Sequence, residues 1–181
     1  MVKARLDDPL TAAQLRSLLD YDPETGIFTW RPRRVLTQYD KTWNARYAGT
    51  KAGTPTVPKG YTQIMVNGRL YLAQRLAFLW MTGEWPKSEE IDHFNEDRAD
   101  NRFSNLREAT SSQNKWNTGN RADNSSGSKG VAFDKRRGTW YARIEVNGTK
   151  TWLGSFATIE DAKAARDAAA RRLHGEFHRT N

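Results

Sequence analysis

The pattern of apolar and polar positions predicts a helix followed by a strand near the start of the chain. Thr11 and Gln14 have the spacing of a capping box, with each side chain serving the backbone of the other. A turn at 22–26 then separates this short helix from an apolar stretch at 27–30, which predicts a strand. The helix shows an apolar stripe on one side: Leu15, Leu18 and Leu19.

A second pattern predicts a hairpin that leads into a helix. Residues 61–72 alternate around Asn67-Gly68, which is the strongest short-range signal for a two-residue hairpin turn. The apolar spacing then changes to that of a helix over 73–81. Gly83 follows as the expected C-terminal cap.

The C-terminal third predicts three strands and one long helix. The strands are expected at 130–134, 139–146 and 149–156, and Asn147-Gly148 joins the last two. Thr158 then caps a helix that runs to His174. Four residues predict a narrow face for close packing on the sheet: Ala162, Ala165, Ala169 and Leu173.

These elements predict an α+β protein with two domains. The stretch 118–127 is polar, contains Gly, Ser and Asn, and carries no large apolar residue, which is typical of a linker. We therefore expect one domain at 1–117 and a second at 128–181.

Composition and charge limit the kinds of molecule that this protein is expected to bind. Lys and Arg outnumber Asp and Glu by 29 to 21, and a net charge of +8 on 181 residues favours a polyanion, nucleic acid before membrane. A basic surface that merely aids solubility is the alternative. The chain has no cysteine, which excludes disulfides, thiol catalysis and Cys-ligated zinc and fits a reducing compartment. With neither a signal peptide nor a membrane span in the sequence, we expect a cytoplasmic protein.

The segment 31–60 concentrates positive charge. It contains seven basic residues against one acidic residue, Asp40, and the aromatic residues Tyr39, Trp43 and Tyr47 lie among them. Basic side chains with interleaved aromatics are typical of nucleic-acid contact. A solvated loop held by anchoring aromatics fits this composition equally well.

The chemistry is expected in the polar stretch 91–117. His93 is the only well-placed histidine of the three in the chain, and it directly follows Asp92. On an extended segment the two side chains point to opposite sides, so one can face a metal ion and the other a water molecule. Asn114, on a short helix that begins near residue 110, would supply a second oxygen, and Asn105 would tie the intervening loop through hydrogen bonds. A base and a hard divalent cation are what phosphodiester hydrolysis needs.

The order of residues in this stretch resembles the HNH nucleases of the ββα-metal class, particularly phage and homing endonucleases. The shared pattern is D-H, then D-N-R, then N-L-R, then Q-N. The resemblance implies that Asp92 binds a divalent metal, Mg²⁺ or Mn²⁺, and that His93 is the general base. It also implies that Asn105 holds the loop and that Asn114 is the second metal ligand. Asn114 stands where the namesake motif has His, as in homing members of the family.

Two other asparagines in this stretch are assigned less directly. Asn101 is interpreted as part of a turn. Asn117 is interpreted as a contact to the substrate or as support for the ligands.

Residues 128–181 resemble an AP2 domain, a three-stranded antiparallel sheet packed on one helix. The matching segments are 129–131, 138–142, 151–156 and 173–177. The resemblance implies that the sheet lies in the major groove of duplex DNA. It places six residues at the DNA: Lys129, Arg143, Lys150 and Trp152 on the sheet side, and Arg136 and Arg137 in a turn beside phosphates. Trp140 is interpreted as a core anchor and His174 as structural, whereas contact and core stay open for Trp152.

Together the two resemblances imply a metal-dependent DNA endonuclease of the homing or phage type, targeted by an AP2 module. It would act on double-stranded DNA in a bacterial or phage-infected cell. Cleavage would leave 5′-phosphate and 3′-hydroxyl ends; a monomer would nick one strand and a dimer would cut both. No protein partner is evident, and the oligomeric state stays open. The alternatives are a non-catalytic DNA-binding transcriptional regulator with an inherited nuclease fold, and RNA binding through 31–60.

Overall fold

The structure is a computed structural model, and it describes residues 10–88, 90–117 and 124–177. The fold is α+β, as predicted, with small antiparallel sheets and helices. The chain divides into two compact units, Met1–Glu108 and Ala109–Asn181. Most of the predicted linker, 118–123, lies outside the described residues, so the predicted domain boundaries stay a prediction. Within the described ranges, no helix combines the length and the apolar character needed to cross a membrane.

The first unit alternates short helices with three two- or three-stranded sheets. In chain order the elements are α1 (Ala12–Leu18), β1 (Leu19–Asp22), β2 (Ile27–Trp30), α2 (Gln38–Tyr47), β3 (Thr54–Pro55), β4 (Thr62–Val66), β5 (Arg69–Leu72), α3 (Ala73–Thr82), β6 (Glu90–His93), a 3-10 turn (Phe103–Asn105) and β7 (Leu106–Ala109). Strand β1 pairs with β2, β4 lies between β3 and β5, and β6 pairs with β7.

Local signals explain where these elements begin and end. The predicted capping box opens α1, because the Thr11 hydroxyl accepts from Gln14 N and the Gln14 side chain accepts from Thr11 N. Asn67 and Gly68 both have positive φ angles, 50° and 78°, as a type I′ hairpin turn requires. Gly83 ends α3 in the left-handed conformation.

Helix α3 lies at the centre of the first unit. Its residues from Ala73 to Leu79 are all buried, so the helix is enclosed by neighbours on every side over two turns. Strand β4 contributes Ile64 and Val66 to the same core, and α1 contributes Leu15. The β6–β7 pair packs on this core.

Helix α2 was not predicted. The sequence predicts no helix or strand within 31–60, for which nucleic-acid contact and a solvated loop stayed open, whereas 38–47 form a helix of ten residues with none of them buried. Its start is set by a capping box between Thr37 and Asp40. The apolar period gave no signal, because the helix has no apolar side that faces the core.

The second unit contains the predicted three strands and long helix. The elements are α4 (Ser111–Asn117), β8 (Val131–Asp134), β9 (Thr139–Val146), β10 (Thr149–Phe156), α5 (Ile159–His174) and a 3-10 turn (Gly175–Phe177). Strand β9 lies between β10 and β8, and both pairs are antiparallel.

Helix α5 packs on one face of this sheet through small side chains. Ala142 and Ile144 of β9 are buried against the helix, together with Ala162 and Ala170. The predicted helix face is buried at Ala162 and Ala169 and half-buried at Ala165, but it needs correction at Leu173, which is 39% exposed. The other buried residues of the helix are Arg166, Ala170 and His174, each one position after a predicted one.

Candidate active site

Strand β6 carries Asp92 and His93. The extended conformation expected for this pair is present, and both side chains are buried, at 3% and 4% exposure. The backbone N of Phe94 donates to Asn105 O at 2.9 Å, so the end of the strand is bonded to the start of β7. Two titratable side chains are therefore enclosed next to each other in a unit that otherwise buries mostly apolar groups.

The surroundings of His93 favour its neutral form. Burial lowers the pKa of the imidazole, and the contact with Asn101 and the negative charge of Asp92 partly oppose this shift. His93 Nε2 lies 3.5 Å from Asn101 Oδ1, and the Tyr61 ring lies 6.0 Å from the imidazole ring. A neutral imidazole with a lone pair on one nitrogen is the form in which histidine accepts a proton.

Asp92 forms a buried ion pair that the sequence analysis missed. Arg107 Nε and Nη2 lie 2.9 and 2.8 Å from Asp92 Oδ2, and the Arg107 and Asp92 side chains are 15% and 4% exposed. The Arg107 guanidinium also lies 5.0 Å from the centre of the Phe94 ring. A buried carboxylate needs a positive partner, and in the structure Arg107 provides it.

Asn105 closes the loop between the two strands. Its Oδ1 accepts from Asn95 N at 3.0 Å, and its Nδ2 donates to Asn95 Oδ1 and to Asp100 O, both at 2.9 Å. These three bonds join both ends of a polar loop that has no apolar core of its own. They keep the residues after His93 in one conformation.

Asp100 is the second fixed point of the loop. Its carboxylate accepts from Arg102 Nε and Nη2 at 2.8 and 2.6 Å and from Asn95 Nδ2 at 2.7 Å. The bond from Arg102 is the main cause of a pKa lowered to about 2. The charged form of Asp100 is therefore the one that the folded loop stabilises.

We expect this loop to contribute to the loss of stability in acid. The pKa of Asp100 is about 2 in the folded protein against an ordinary value of 3.8. Its contribution to the free energy of unfolding is therefore fully present above pH 3.8 and is lost as the pH falls to about 2. Asp100→Asn should therefore lower the urea midpoint at about pH 5 and make little difference near pH 2. Urea denaturation of both proteins at the two pH values checks this. An equal difference at both pH values would contradict the assignment.

Asn101, interpreted from the sequence as part of a turn, also contacts His93. It is buried, its Nδ2 donates to Ala99 O at 3.0 Å, and its backbone O accepts from the Tyr21 hydroxyl at 2.7 Å. Asn101 is thus held by its own turn and by a core tyrosine. Its side chain can then orient the imidazole, a role that no local sequence signal indicates.

Gly26 allows the backbone at 101–102 to approach closely. It has a φ of +72°, and a Cβ atom at this position would lie 2.4 Å from Arg102 N and from the Asn101 carbonyl carbon. The opposing atoms belong to backbone, which cannot move aside like the end of a side chain. The turn at 22–26 therefore supports the position of Asn101.

We expect Gly26→Ala to lower the free energy of unfolding by about 2 kcal/mol or more, because of the positive φ and the backbone clash. Gly68→Ala is the matched control: its φ is +78°, and a Cβ atom added there would have no atom within 4 Å from residues other than its chain neighbours. Urea denaturation should show a clearly smaller loss for the control. Equal losses would mean that the close approach to Asn101 is unimportant.

Asn114 lies in the second unit, on α4. Its backbone N donates to Thr110 O at 2.9 Å, and Thr110 and Gln113 cap the helix. Asp92, His93 and Asn105 belong to the first unit. The convergence of Asn114 with Asp92 on one metal ion stays a prediction. Asn117, on the same helix, is buried.

The residues expected at DNA in the second unit occupy different environments. Arg143, Lys150 and Trp152 are exposed, and Trp152 pairs with Arg143 across β10 and β9, so both project from the face opposite α5. The Trp152 ring stacks on Tyr141 at 5.2 Å. Trp140 projects from the other face and packs in the core cluster with Val131.

The remaining three residues are a turn pair and a lysine that is half-buried. Arg136 and Arg137 are exposed in the turn between β8 and β9, where Asp134 accepts from both backbone N–H groups. Lys129 Nζ donates to the backbone oxygens of Lys115 and Trp116 at 3.1 and 3.3 Å. Burial, with the charge of Arg166, lowers the pKa of Lys129 to about 8. The ammonium group of Lys129 is thus directed at the end of α4.

The donor chemistry of the first unit fits a hard cation. Asp92 offers carboxylate oxygen, which Mg²⁺ and Mn²⁺ prefer. Among the described residues, no group of three or more His, Cys, Asp or Glu forms a complete protein cage. Mg²⁺ does not require one, because it retains water ligands and commonly binds one or two carboxylates together with substrate phosphates.

Comparison with known sequences identifies the family. The sequence model of the HNH endonuclease family matches residues 71–115, a span that includes Asp92, His93, Asn105 and Asn114. The chain belongs to the HNH endonuclease family, as the order of these residues predicted.

Its relatives include viral proteins. Protein 3.8 of Escherichia phage T7 is 32% identical over 97 residues, which are 54% of this chain and 79% of the phage protein. An HNH endonuclease of Acanthamoeba polyphaga mimivirus, L560, is 30% identical over 122 residues, 67% of this chain and 63% of the mimivirus protein. Dehydration-responsive element-binding protein 2E of Oryza sativa is 55% identical over 40 residues, 21% of this chain and 13% of the rice protein.

Proposed function

We propose that this protein is a metal-dependent endonuclease that hydrolyses phosphodiester bonds in duplex DNA. The observation that carries the proposal is the buried Asp92-His93 pair, in which a neutral imidazole is enclosed beside a carboxylate inside the region that matches the HNH family. Buried titratable side chains with a shifted pKa are concentrated at catalytic sites, where a general base and a metal ligand are both needed.

His93 takes the proton from the attacking water. When Nε2 carries the ring hydrogen and faces Asn101 Oδ1, the lone pair is on Nδ1, which is the nitrogen that can accept this proton. Asn101 and Tyr61 limit rotation of the ring. Asn101 is thus a positioning residue, because it acts through the imidazole and not on the phosphate.

Asp92 and Asn114 would hold Mg²⁺ or Mn²⁺. The bound ion would neutralise charge that develops on the phosphate and on the leaving 3′-oxygen. Arg107 keeps the Asp92 carboxylate in place through two bonds to a single oxygen, Oδ2. Asn114→Ala tests the second ligand, and we propose that it weakens Mn²⁺ binding without changing the fold of the first unit.

The second unit would supply affinity and part of the sequence preference as an AP2-type module. A three-stranded sheet with α5 on one face leaves the other face to Arg143, Lys150 and Trp152. A sheet of this kind presents side chains to the major groove. The short identities to plant transcription factors support the same assignment.

The proposal is tested with supercoiled plasmid and phage DNA incubated with the purified chain, in Mg²⁺, in Mn²⁺ and in EDTA. We expect metal-dependent conversion to open-circular DNA if one strand is cut and to linear DNA if both are. Ligation of the products by an enzyme that needs 5′-phosphate and 3′-hydroxyl ends should succeed. Tight binding to duplex DNA without cleavage of either DNA in either metal would instead favour a DNA-binding regulator.

A further inference from the structure

The segment 31–47, here named the basic arm, leaves the end of strand β2 and returns to it. Trp30 N donates to Thr50 O at 3.0 Å, and Gly49 N donates back to Trp30 O at 2.8 Å. The two ends of the arm are therefore fastened to each other and to the sheet. The arm belongs to the same compact unit as Asp92 and His93.

The basic arm is internally ordered. The Asn44 side chain bonds to both backbone groups of Arg33, with N to Oδ1 and Nδ2 to O distances of 2.8 Å each. The Arg33 guanidinium lies 3.8 Å from the centre of the Trp43 ring, and Trp43 also contacts Trp30 edge-on at 5.6 Å. These contacts join the extended half of the arm to its helix.

This order does not serve the core. None of the ten residues of α2 is buried. Leu36 and Tyr39 are 74% and 68% exposed, and Val35 is also exposed. Apart from the half-buried Trp43, which packs on Trp30, the helix gains little from tertiary packing, which normally supplies most helix stability. The exposed apolar side chains of the arm are therefore accessible to a binding partner.

The charge of the arm identifies the kind of partner. It has five basic residues and one acidic residue, Asp40. Asp40 is occupied by the cap: its side chain accepts from Leu36 N and from Thr37 N and Oγ1, and the bond with Thr37 is the main cause of its lowered pKa. Arg34, Lys41 and Arg46 project their charge into solvent.

We propose that the basic arm binds duplex DNA as a second contact of the nuclease unit. Arg34, Lys41 and Arg46 pair with backbone phosphates. Leu36 and Tyr39 pack against sugars at the edge of a groove. The inference rests on the proposed function in one respect, namely that DNA is the ligand.

The test compares the full chain with Arg34→Ala/Lys41→Ala/Arg46→Ala, both carrying His93→Ala so that the DNA stays intact. The affinity for a fluorescent duplex is measured by anisotropy in EDTA over a range of salt concentrations. Three lost phosphate contacts should reduce the slope of log K against log salt by about 2.7 and weaken binding on the order of 100-fold at about 0.1 M salt. Lys87→Ala/Arg171→Ala/Arg172→Ala removes the same charge at exposed positions outside the arm and should leave the slope nearly unchanged.

A second variant separates apolar contact from charge. Leu36→Ser/Tyr39→Ser should weaken binding about 10-fold with no change in slope, because apolar contacts release no counterions. Circular dichroism should show that each variant keeps the helix content of the unaltered chain. If Arg34→Ala/Lys41→Ala/Arg46→Ala matches the control variant in slope and affinity, the proposal is overturned.

The same experiment distinguishes the ligands and the two proposals. The anisotropy measurement is repeated with a fluorescent single strand of the same sequence. If the arm variant loses more affinity for this single strand than for the duplex, duplex binding is overturned in favour of single-stranded nucleic acid. If the unaltered chain cleaves plasmid but the arm variant has the same salt slope as the unaltered chain, only the proposal of DNA binding by the arm is overturned. A reduced slope without cleavage in either metal would support the arm and count against the nuclease.

Discussion

His93→Ala is expected to lower the rate of DNA cleavage at least about 100-fold, which is the lower end of what a general base contributes. The imidazole is buried and its pKa is lowered, so at neutral pH it is ready to accept a proton. Residues 1–108, which form the first unit, contain no other histidine that could replace it. Single-turnover cleavage of plasmid DNA with excess enzyme measures the chemical step directly.

Two controls give this result its meaning. The affinity of His93→Ala for uncut DNA should equal that of the unaltered chain, because the proposed DNA contacts lie elsewhere. His174→Ala removes a histidine that stacks on Trp116 at 4.2 Å and bonds to Glu145 O at 3.2 Å, and its cleavage rate should stay close to that of the unaltered chain. If His93→Ala cleaves at the original rate, the base is another group.

The second large effect is expected at Arg107. Arg107→Met should lower the free energy of unfolding by about 3–5 kcal/mol, because it leaves the carboxylate of Asp92 buried without its positive partner. That is a large share of the stability of a small domain, which is about 5–15 kcal/mol. Urea denaturation followed by tryptophan fluorescence measures the change.

A double-mutant cycle tests the cause of that loss. Asp92→Asn/Arg107→Met should cost less than the sum of the two single changes, with a coupling of about 2–3 kcal/mol. Arg31→Met is the matched control, since the Arg31–Asp20 pair at 3.5 Å has side chains that are 48% and 61% exposed. Its loss should stay below about 1 kcal/mol. Additive losses for the Arg107 pair would show that the buried contact contributes little.

Local chemistry in the sequence predicts most of the elements. The capping box at Thr11 and the Asn67-Gly68 turn each act within four residues, so their effect does not depend on the rest of the chain. The same applies to the cap at Thr158 that starts α5. Helix α2 was missed although it also has a capping box, because the apolar period on which the prediction relied is absent from an exposed helix.

The packing of side chains was harder to predict. Leu173 was expected to face the sheet, yet Arg166 and His174 lie on the buried side of α5. Helical spacing defines which residues share a side, but it does not decide which side is covered. A polar side chain can be buried when its polar atom is hydrogen-bonded, as His174 Nε2 is to Glu145 O.

The sequence by itself determined the family and the identity of His93 as the candidate base, because these depend on the order and spacing of residues along one short stretch. It also determined the α+β class, because each element is specified by a pattern within its own residues. Only the tertiary structure decided what surrounds that base. Arg107 reaches Asp92 across 15 positions, and Tyr21 fixes Asn101 across 80. Such contacts arise when separate elements pack on a common core, and no local preference of the chain encodes the partner.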